Sequence, residues 1–532
     1  MKRTLGGLLE QLRGVSQVPE RELWWITAFA LGKPERHLRA TWLEQLSRNT
    51  DTRTGGVTRA RECSERSNSS NKAKSRLYAA ALADLMSEQD AERISTLVTD
   101  RVEKRKPLQY ILGDVDFAGL TLKLRPPTLI PRPETEQMCA YVLSHVKALV
   151  ETISEGVDSL DESNSVEGTG EPTMTYDECH RPGGQSPDWL EGLTRELAIA
   201  SRDKTKLPRI PFYSSWYGAF TFPDLPLRRK RTRNAMKLTL EEDVSRQPAQ
   251  RVVRVLDVCS GSGAIALGLA ANLPGARWQG GVTCSSMSAQ TFRRTQPQGF
   301  RNEYYPIRMQ AIGLELVDSA LSLSLENLEL ARKSLRASRA HDVEYVVDAS
   351  FHKCDIFSPL DTIQRTVQNG GKDSHLASSS PTIASPNQST FNNESKFDLI
   401  VSNPPYIPSS AYESLQPEVR LWEDKLALCP PESSGSSDPE ALQFYSRIVE
   451  LYPSLISQPF QASTSRLISS ASSNLLIAAR FLPRLVFEIG TEEQAQPIAE
   501  MMRAVELVPA VFEDASTNAR WIVGYLDLHM SF

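Results

Sequence analysis

The sequence predicts a doubly wound, mostly parallel α/β sheet behind a helical N-terminal segment. Three observations predict it. From Arg251 onward, short β-branched runs alternate with helical stretches, the pattern of a parallel sheet with crossover helices. A turn rich in small residues, Ser260-Gly261-Ser262-Gly263, joins the first of those runs to a helix. A stiff tetrapeptide, Asn403-Pro404-Pro405-Tyr406, follows the apolar run Phe397–Ser402, which reads as a strand buried on both faces.

The N-terminal region comes first. Leu8, Leu12, Trp24, Trp25, Ala28, Leu31, Trp42, Leu43 and Leu46 recur at helical spacing. A polar break over 49–74 interrupts the pattern, which resumes with Leu77, Leu82, Leu85, Ile94, Leu97 and Val102. Residues 1–105 are therefore expected to be a helical domain for packing or substrate recognition. The first residues, Met1 to Leu9, are weakly cationic and amphipathic. They fit either a mitochondrial presequence or the first helix of the domain, and Glu10 and Glu20 depart from the acid-poor pattern of a presequence.

Residues 106–150 change character. Short alternating segments from Pro107 to Leu124, punctuated by Gly113 and Gly119, predict a β-hairpin. The run Leu129-Ile130-Pro131-Arg132-Pro133-Glu134-Thr135-Glu136 then opens a helix, with acids in its first turn, that is expected to extend through Val150. Residues 151–250 read as a largely disordered, low-complexity insert, acidic and rich in Ser and Gly at its start. It carries one basic run, Leu227–Arg233, which reads as a solvated linker, an RNA contact or a targeting signal.

In the α/β region, 251–532, Val252–Val258 is the first strand and Ala264–Ala271 the helix after it. Gln310–Leu314 is the second strand, Ser319–Leu335 a helix, and Val343–Cys354 holds the third strand. Arg484–Ile489 is a later strand, and Val505–Phe512 with Arg520–Leu526 a closing strand pair. Two further inserts are expected, an irregular one at 281–310 and a disordered Ser/Asn/Gln-rich one at 362–395.

Composition narrows the function classes. With 532 residues, the chain exceeds one ordinary domain. A formal net charge of −5 gives no global basic footprint and argues against direct nucleic-acid contact. No apolar run is long enough to span a bilayer. The seven cysteines contain no C-x-x-C pair, which argues against a zinc site or a disulfide framework and suits a reducing compartment.

The chemistry gathers at strand ends, where open α/β sheets place their ligand crevice. Asp257 and the Ser260-Gly261-Ser262-Gly263 turn end the first strand. The turn matches the dinucleotide fingerprint formally, through Gly261-x-Gly263-x-x-Ala266. It also matches the S-adenosylmethionine loop of Rossmann-like methyltransferases, which favours Asp257 before the small residues. Glu315 ends the second strand, where either cofactor class puts an acid for ribose hydroxyls. Asp355 follows the third strand, where a methyltransferase commonly contacts the adenine amine. At the fourth, the Asn403 side chain offers one acceptor and two donors, Pro404 and Pro405 stiffen the backbone and free its carbonyls, and Tyr406 can cover a substrate. Such a turn can hold a planar –NH2 group by its hydrogens and aim the nitrogen lone pair at an electrophile.

Taken together, these motifs resemble the PrmC/HemK protein-glutamine N5-methyltransferases, which methylate the glutamine of the GGQ tripeptide in peptide-chain release factors. The matching pieces are Pro107–Gly113, Phe117–Leu120, Leu129–Glu136, Asp257–Ala266 and Asn403–Ile407, with Glu488-Ile489-Gly490 and Asp514–Arg520 at the C-terminal end. The resemblance implies a class I S-adenosylmethionine-dependent methyltransferase sheet with a helical N-terminal domain and a linking hairpin. It implies that Asn403 and the Pro404 carbonyl bind the glutamine amide, with Pro405 and Tyr406 completing the turn. Asp257, Ser260, Gly261 and Gly263 would cradle S-adenosylmethionine, Glu315 hold its ribose and Asp355 lie by its adenine, with Asn403 also touching the cofactor from the acceptor side. Arg132 and Glu134 would border the cleft, and no metal is implied. The partner would be a release factor, the enzyme a monomer, and the compartment the mitochondrial matrix, with the cytoplasm as alternative. Three departures stand out: Cys259-Ser260 replaces the usual Gly-Thr or similar small pair, Glu315 the usual Asp, and the insert at 281–310, a surface loop or translated intron, separates the first helix from the second strand beside the cofactor pocket. Because both residues of the Cys259-Ser260 pair are small, the loop is expected to tolerate them. Rival readings are a nucleic-acid adenine N6-methyltransferase using the same amine site, a non-catalytic adaptor, and an NAD-dependent oxidoreductase.

Overall fold

The computed structural model describes residues 18–32, 87–161, 188–219, 251–278, 307–337, 343–372, 396–431, 441–457 and 481–527. Leu8, Leu12, the Trp42–Leu46 segment, Leu77–Leu85, the basic run 227–233 and most of the 281–310 and 362–395 inserts lie outside them. The chain divides into two compact units. The first comprises 1–115, 124–127 and 414–423, and the second 116–123, 128–413 and 424–532.

In the first unit, helix α1 (Glu20–Ala30) and helix α2 (Glu88–Val102) carry the apolar spacing read from the sequence. Ala91, Ile94 and Val98 recur at i, i+3 and i+7 and bury against Leu23, Ile26, Ala30 and Ile111. A capping box starts α2: Ser87 Oγ accepts from Asp90 N, and the Asp90 carboxylate accepts from Ser87 N. Pro107–Gly113 is not part of a hairpin. Leu108–Leu112 forms a short helix, α3, closed by Gly113 at φ 77°. Its Tyr110 and Ile111 are adjacent and both buried, which a helical turn against a core permits. Arg101 bridges Glu22 and Glu418 within this unit.

The second unit is built on β1 (Asp114–Phe117), β2 (Leu120–Lys123), β3 (Arg209–Ile210), β4 (Arg251–Val258), β5 (Gly275–Trp278), β6 (Ile307–Glu315), β7 (Val343–Val346), β8 (Asp348–Lys353), β9 (Leu399–Ser402), β10 (Phe481–Glu488), β11 (Val508–Glu513) and β12 (Ala519–Asp527). β1 and β2 pair with each other as a separate two-stranded sheet. The helices are α4 (Pro133–Asp161), α5 (Asp188–Arg202), α6 (Ala264–Asn272), α7 (Asp318–Ala337), α8 (Leu360–Lys372), α9 (Gln443–Leu455) and α10 (Ala495–Ala504).

Eight strands form one sheet in the order β3-β11-β12-β10-β9-β4-β6-β8. The run β8, β6, β4, β9, β10 is parallel, and β12 returns antiparallel between β10 and β11. The order reverses beside β4, so a topological switch point lies between β4 and β9. This is the doubly wound, mostly parallel sheet expected from the alternation, and the Rossmann-like fold that the resemblance implies. The stretch expected as one third strand is two: β7 pairs outside the main sheet with β5, and β8 joins β6. Among the described residues, no helix is long and apolar enough to cross a membrane.

The structure corrects the reading of the inserts. Helix α4 runs to Asp161, beyond Val150. Residues 188–219, inside the insert expected to be largely disordered, are folded. Helix α5 buries Trp189, Leu190, Leu193 and Leu197, β3 pairs with β11 in the main sheet, and Trp216 is fully buried. The Trp216 ring lies 5.2 Å from that of Tyr141 on α4 and 6.0 Å from that of Phe512 on β11. The acidic, Ser/Gly-rich stretch ahead of it hides this amphipathic spacing when composition is averaged across the insert. Likewise, 362–372 continues helix α8, with Ile363 and Val367 buried on one face.

Candidate active site

Strand register brings the polar strand ends to one edge. Asp257 stands opposite Gly313 on β6 and Val401 on β9. Glu315 pairs with Lys353 at the end of β8, and Ser402 pairs with Val258 and with Phe487. Asp257, Glu315, Asp355, Asn403 and Glu488 thus follow or end five adjacent parallel strands.

The glycine turn is held by two carboxylates. Asp257 is fully buried, and its Oδ2 accepts from Ala266 N in the first turn of α6 at 3.1 Å. Glu315 Oε2 accepts from Gly261 N at 2.7 Å, while its Oε1 accepts from Leu316 N and Val317 N, each at 2.9 Å. The longer Glu side chain therefore ties the turn to the end of β6. Burial raises the carboxyls of both residues, Asp257 to about 8. In Glu315 the three backbone N–H groups offset part of that rise. Gly263 takes φ 81° as the residue before α6, and a Cβ there would come within 2.7 Å of the Phe351 ring. Cys259 sits at φ 63°, a left-handed conformation costing on the order of 1–2 kcal/mol for a residue with a side chain. Backbone conformation, and not side-chain size alone, is thus what the Gly-to-Cys departure costs.

Gly313 is required by packing. A Cβ there would collide with the Phe351 ring and fall 3.0 Å from Ser260 Cβ. Gly313→Ala is expected to destabilise the second unit by about 1–3 kcal/mol, as an overpacked core does. The urea unfolding midpoint reports this, and a shift corresponding to less than about 0.5 kcal/mol would mean that the Phe351 ring moves aside freely.

A second constellation surrounds the Asn-Pro-Pro-Tyr turn. Asn403 Nδ2 donates to Thr135 Oγ1 at 3.3 Å, and Thr135 Oγ1 donates to Glu488 Oε2 at 2.5 Å. The Tyr406 hydroxyl donates to Glu488 Oε1 at 3.3 Å, and Tyr445 donates to the Glu488 carbonyl at 2.7 Å. Gln494 pins the turn from below, giving a hydrogen bond to Tyr406 O while accepting from Gly490 N. Arg132 and Glu134 act electrostatically on Glu488, Arg132 lowering and Glu134 raising its carboxyl. Ser402 Oγ donates to Val258 O at 2.7 Å, joining this constellation to the end of β4.

Each predicted site residue is thereby located. Asp257, Ser260, Gly261, Gly263 and Glu315 form one group, and Asn403, Pro404, Pro405 and Tyr406 the other, with Arg132 and Glu134 beside it. Asp355 is exposed, its Oδ1 accepting from Phe357 N at 2.9 Å, and it adjoins the first group through the bond from Cys354 N to Glu315 O. Sequence reasoning missed Thr135 and Glu488 as site residues. The strand-end rule that found Glu315 applies equally to Glu488, which closes the apolar run Leu485-Val486-Phe487. Among the described residues, no group of three His, Cys, Asp or Glu could hold a metal ion.

Part of this chain is similar to release factor glutamine methyltransferases. A human protein, MTRF1L release factor glutamine methyltransferase, is 46% identical over 61 residues, 12% of this chain and 18% of its own length. The release factor glutamine methyltransferase of Geobacter sulfurreducens is 52% identical over 60 residues, 11% of this chain and 19% of its own. That of Streptococcus pneumoniae is 34% identical over 127 residues, 23% and 40% respectively. The chain therefore spans less than a fifth of the first two relatives. No protein-family model matches it. Among solved structures, the N-terminal domain of human METTL16 in complex with SAH aligns over 53% of this chain and 63% of its own, at 13% identity and a TM-score of 0.24. That score is too low to add to the strand order.

The buried acids make a pH prediction. Asp257 has a folded value of about 8, above its ordinary carboxylate value. It keeps its proton while the unfolded chain has released it, so its contribution to stability is full at low pH. That contribution is lost as pH rises from about 4 to about 8 and then levels off. Asp257→Asn is expected to flatten this decline, read as urea midpoints of the ligand-free protein at pH 5, 6, 7 and 8. A slope equal to the wild type's would mean that Asp257 is ionised throughout.

Proposed function

We propose that this chain transfers a methyl group from S-adenosylmethionine to the side-chain amide nitrogen of the glutamine in the GGQ motif of a peptide-chain release factor. The observation that carries the reading is the juxtaposition of the glycine turn after β4 with the Asn403-Pro404-Pro405-Tyr406 turn after β9, at a topological switch point. The partial similarity to release factor glutamine methyltransferases supports the choice of acceptor. A monomer in the mitochondrial matrix is proposed with it, following the resemblance in Leu129–Glu136 and the helical N-terminal segment.

The residues fit the cofactor. Asp257 Oδ1 and Ser260 Oγ are buried without a hydrogen-bond partner among the described residues, and buried polar atoms ordinarily have one. A Cβ at Gly261 would meet nothing within 4 Å, leaving open space over the turn. Asp257, Ser260, Gly261 and Gly263 would hold the cofactor, Glu315 its ribose, and Asp355 would lie by its adenine. When bound, S-adenosylmethionine supplies an electrophilic methyl group on a sulfonium centre.

The protein's part is positioning. An amide nitrogen is a poor nucleophile because its lone pair is delocalised. Asn403 Oδ1 and the Pro404 carbonyl accept its two N–H bonds, which raises electron density on nitrogen and fixes its direction. Alignment alone lowers such barriers by roughly 7–11 kcal/mol. The nitrogen becomes positive as its bond to the methyl carbon forms and the methyl–sulfur bond breaks; it then releases its proton to solvent, so no strong base is needed first. Arg132 and Glu134 border the acceptor.

A transfer assay with labelled S-adenosylmethionine tests this, using a GGQ-containing release factor, its Gln→Ala variant and tandem mass spectrometry. Label on the glutamine side chain of the unaltered factor alone is the expected result. Label on neither factor, with cofactor binding intact, would defeat the reading and direct attention to adenine amines in nucleic acid.

A further inference from the structure

We propose that Glu488, acting through Thr135, fixes the orientation of the Asn403 amide so that its oxygen, not its NH2, faces the acceptor nitrogen. The effect on catalysis rests on the reading above. The orientation itself rests on the hydrogen-bond chain alone.

The two ends of an asparagine amide have nearly the same shape and opposite hydrogen-bonding character. A site that must accept N–H bonds works only with the oxygen outward, so something must forbid the flipped state. The chain from Asn403 to Glu488 does this by counting protons. Thr135 has a single hydroxyl proton, and it goes to Glu488 Oε2 at 2.5 Å. Thr135 Oγ1 can then only accept, and it accepts from Asn403 Nδ2 at 3.3 Å. Flipping Asn403 would set Oδ1 against Oγ1 with no proton between them. Tyr406 donates to the other carboxylate oxygen, so both oxygens of Glu488 act as acceptors. Glu488 is thus a positioning residue, held at the end of β10 and acting across α4 on the turn after β9.

The arrangement works while Glu488 is ionised. Neutral Glu488 carries a proton that it can give to Thr135, which frees the Thr135 proton for Asn403 Oδ1 and permits the flip. Burial raises the Glu488 carboxyl to about 7. Hydrogen bonds from Thr135 and Tyr406 and the charge of Arg132 oppose that rise, and Glu134 adds to it. Tyr445 on α9 and Cys139 on α4 also feel its charge, and both stay protonated. The correctly oriented amide is therefore complete above about pH 7 and is lost as pH falls through that value.

The test uses the full chain and two readouts. One is kcat for methylation of a GGQ-containing release factor from pH 6 to 9, with the dissociation constant for S-adenosylmethionine as a check on folding. The other is the side-chain NH2 resonance of Asn403 in protein labelled with 15N-asparagine, assigned by its loss in Asn403→Asp. Thr135→Val is expected to lower kcat about tenfold or more with cofactor affinity within about twofold, and Thr135→Ser to restore kcat to within about threefold. Wild-type kcat should fall below about pH 7, and Glu488→Gln should remove that inflection. The Asn403 resonance should move with the same inflection and be displaced in Thr135→Val. The inference is overturned if Thr135→Val keeps wild-type kcat, if Thr135→Ser is as impaired as Thr135→Val, or if the Asn403 resonance ignores both pH and Thr135→Val. Should the wild type methylate no carboxamide, the activity reading fails, and the resonance alone decides the inference.

Discussion

Asn403→Ala is expected to lower methyl transfer by roughly 10²–10³-fold, about 2.7–4 kcal/mol of transition-state stabilisation, the scale on which one preorganised hydrogen-bonding group contributes. The charge on the acceptor nitrogen grows during the displacement. An acceptor aimed at its N–H bonds therefore helps more in the transition state than in the ground state. Asn403 lies after β9, whereas the glycine turn is held by Asp257 and Glu315. Affinity for S-adenosylmethionine should accordingly stay within about twofold, and the loss should fall on kcat. Isothermal titration for the cofactor and single-turnover kinetics for the chemistry separate the two. If Asn403→Ala turned over at a near-normal rate, the amide-positioning mechanism would be wrong. If it lost cofactor affinity and rate together, Asn403 would belong to the cofactor's site.

Trp216→Ala carries the largest expected effect on stability, about 3–5 kcal/mol, the cost of deleting a buried aromatic ring from a packed core. Trp216 is fully buried among Tyr141, Trp189, Phe512 and Trp521, with ring centroids 5.2 to 6.4 Å away. Its loss would open a void between α4 and the rings of Phe512 on β11 and Trp521 on β12. The Trp216 indole N–H has no hydrogen-bond partner among the described residues. Trp216→Phe removes that unsatisfied donor while keeping most of the ring, so it should cost far less than the alanine change. Chemical denaturation of the three proteins checks both statements. A midpoint for Trp216→Ala matching the wild type would mean that residues 188–219 are an appendage and not a part of the core.

How much of this was legible in the sequence depends on the range of the interactions involved. Glu315 was found because it ends a β-branched run, a local signal. Asn403 stands out because it places a carboxamide, beside backbone carbonyls freed by two prolines, directly after an apolar strand. Glu488 ends an apolar run too, yet its role depends on Thr135, a residue 353 positions away in sequence. Pairing over such a distance leaves no mark on either segment. Pro107–Leu112 was misread because its punctuation by Gly113 fits a strand end and a helix end equally, and burial of both Tyr110 and Ile111 decided for the helix.

The sequence by itself determined the alternation of strand and helix, the glycine turn after β4, the acids at strand ends and the stiff Asn-Pro-Pro-Tyr turn after β9. These follow from periodicity, backbone freedom and side-chain chemistry, which act over a few residues. Only the tertiary structure decided the strand order, with β12 antiparallel between β10 and β11, and the enlistment of residues 188–219 into the sheet and its core. It also decided that Glu315 binds the backbone of the glycine turn and that Glu488 reaches Asn403 through Thr135. Strand pairing and buried hydrogen bonds are chosen by which surfaces can be covered and which polar atoms can be satisfied together. That choice is made across the whole chain at once.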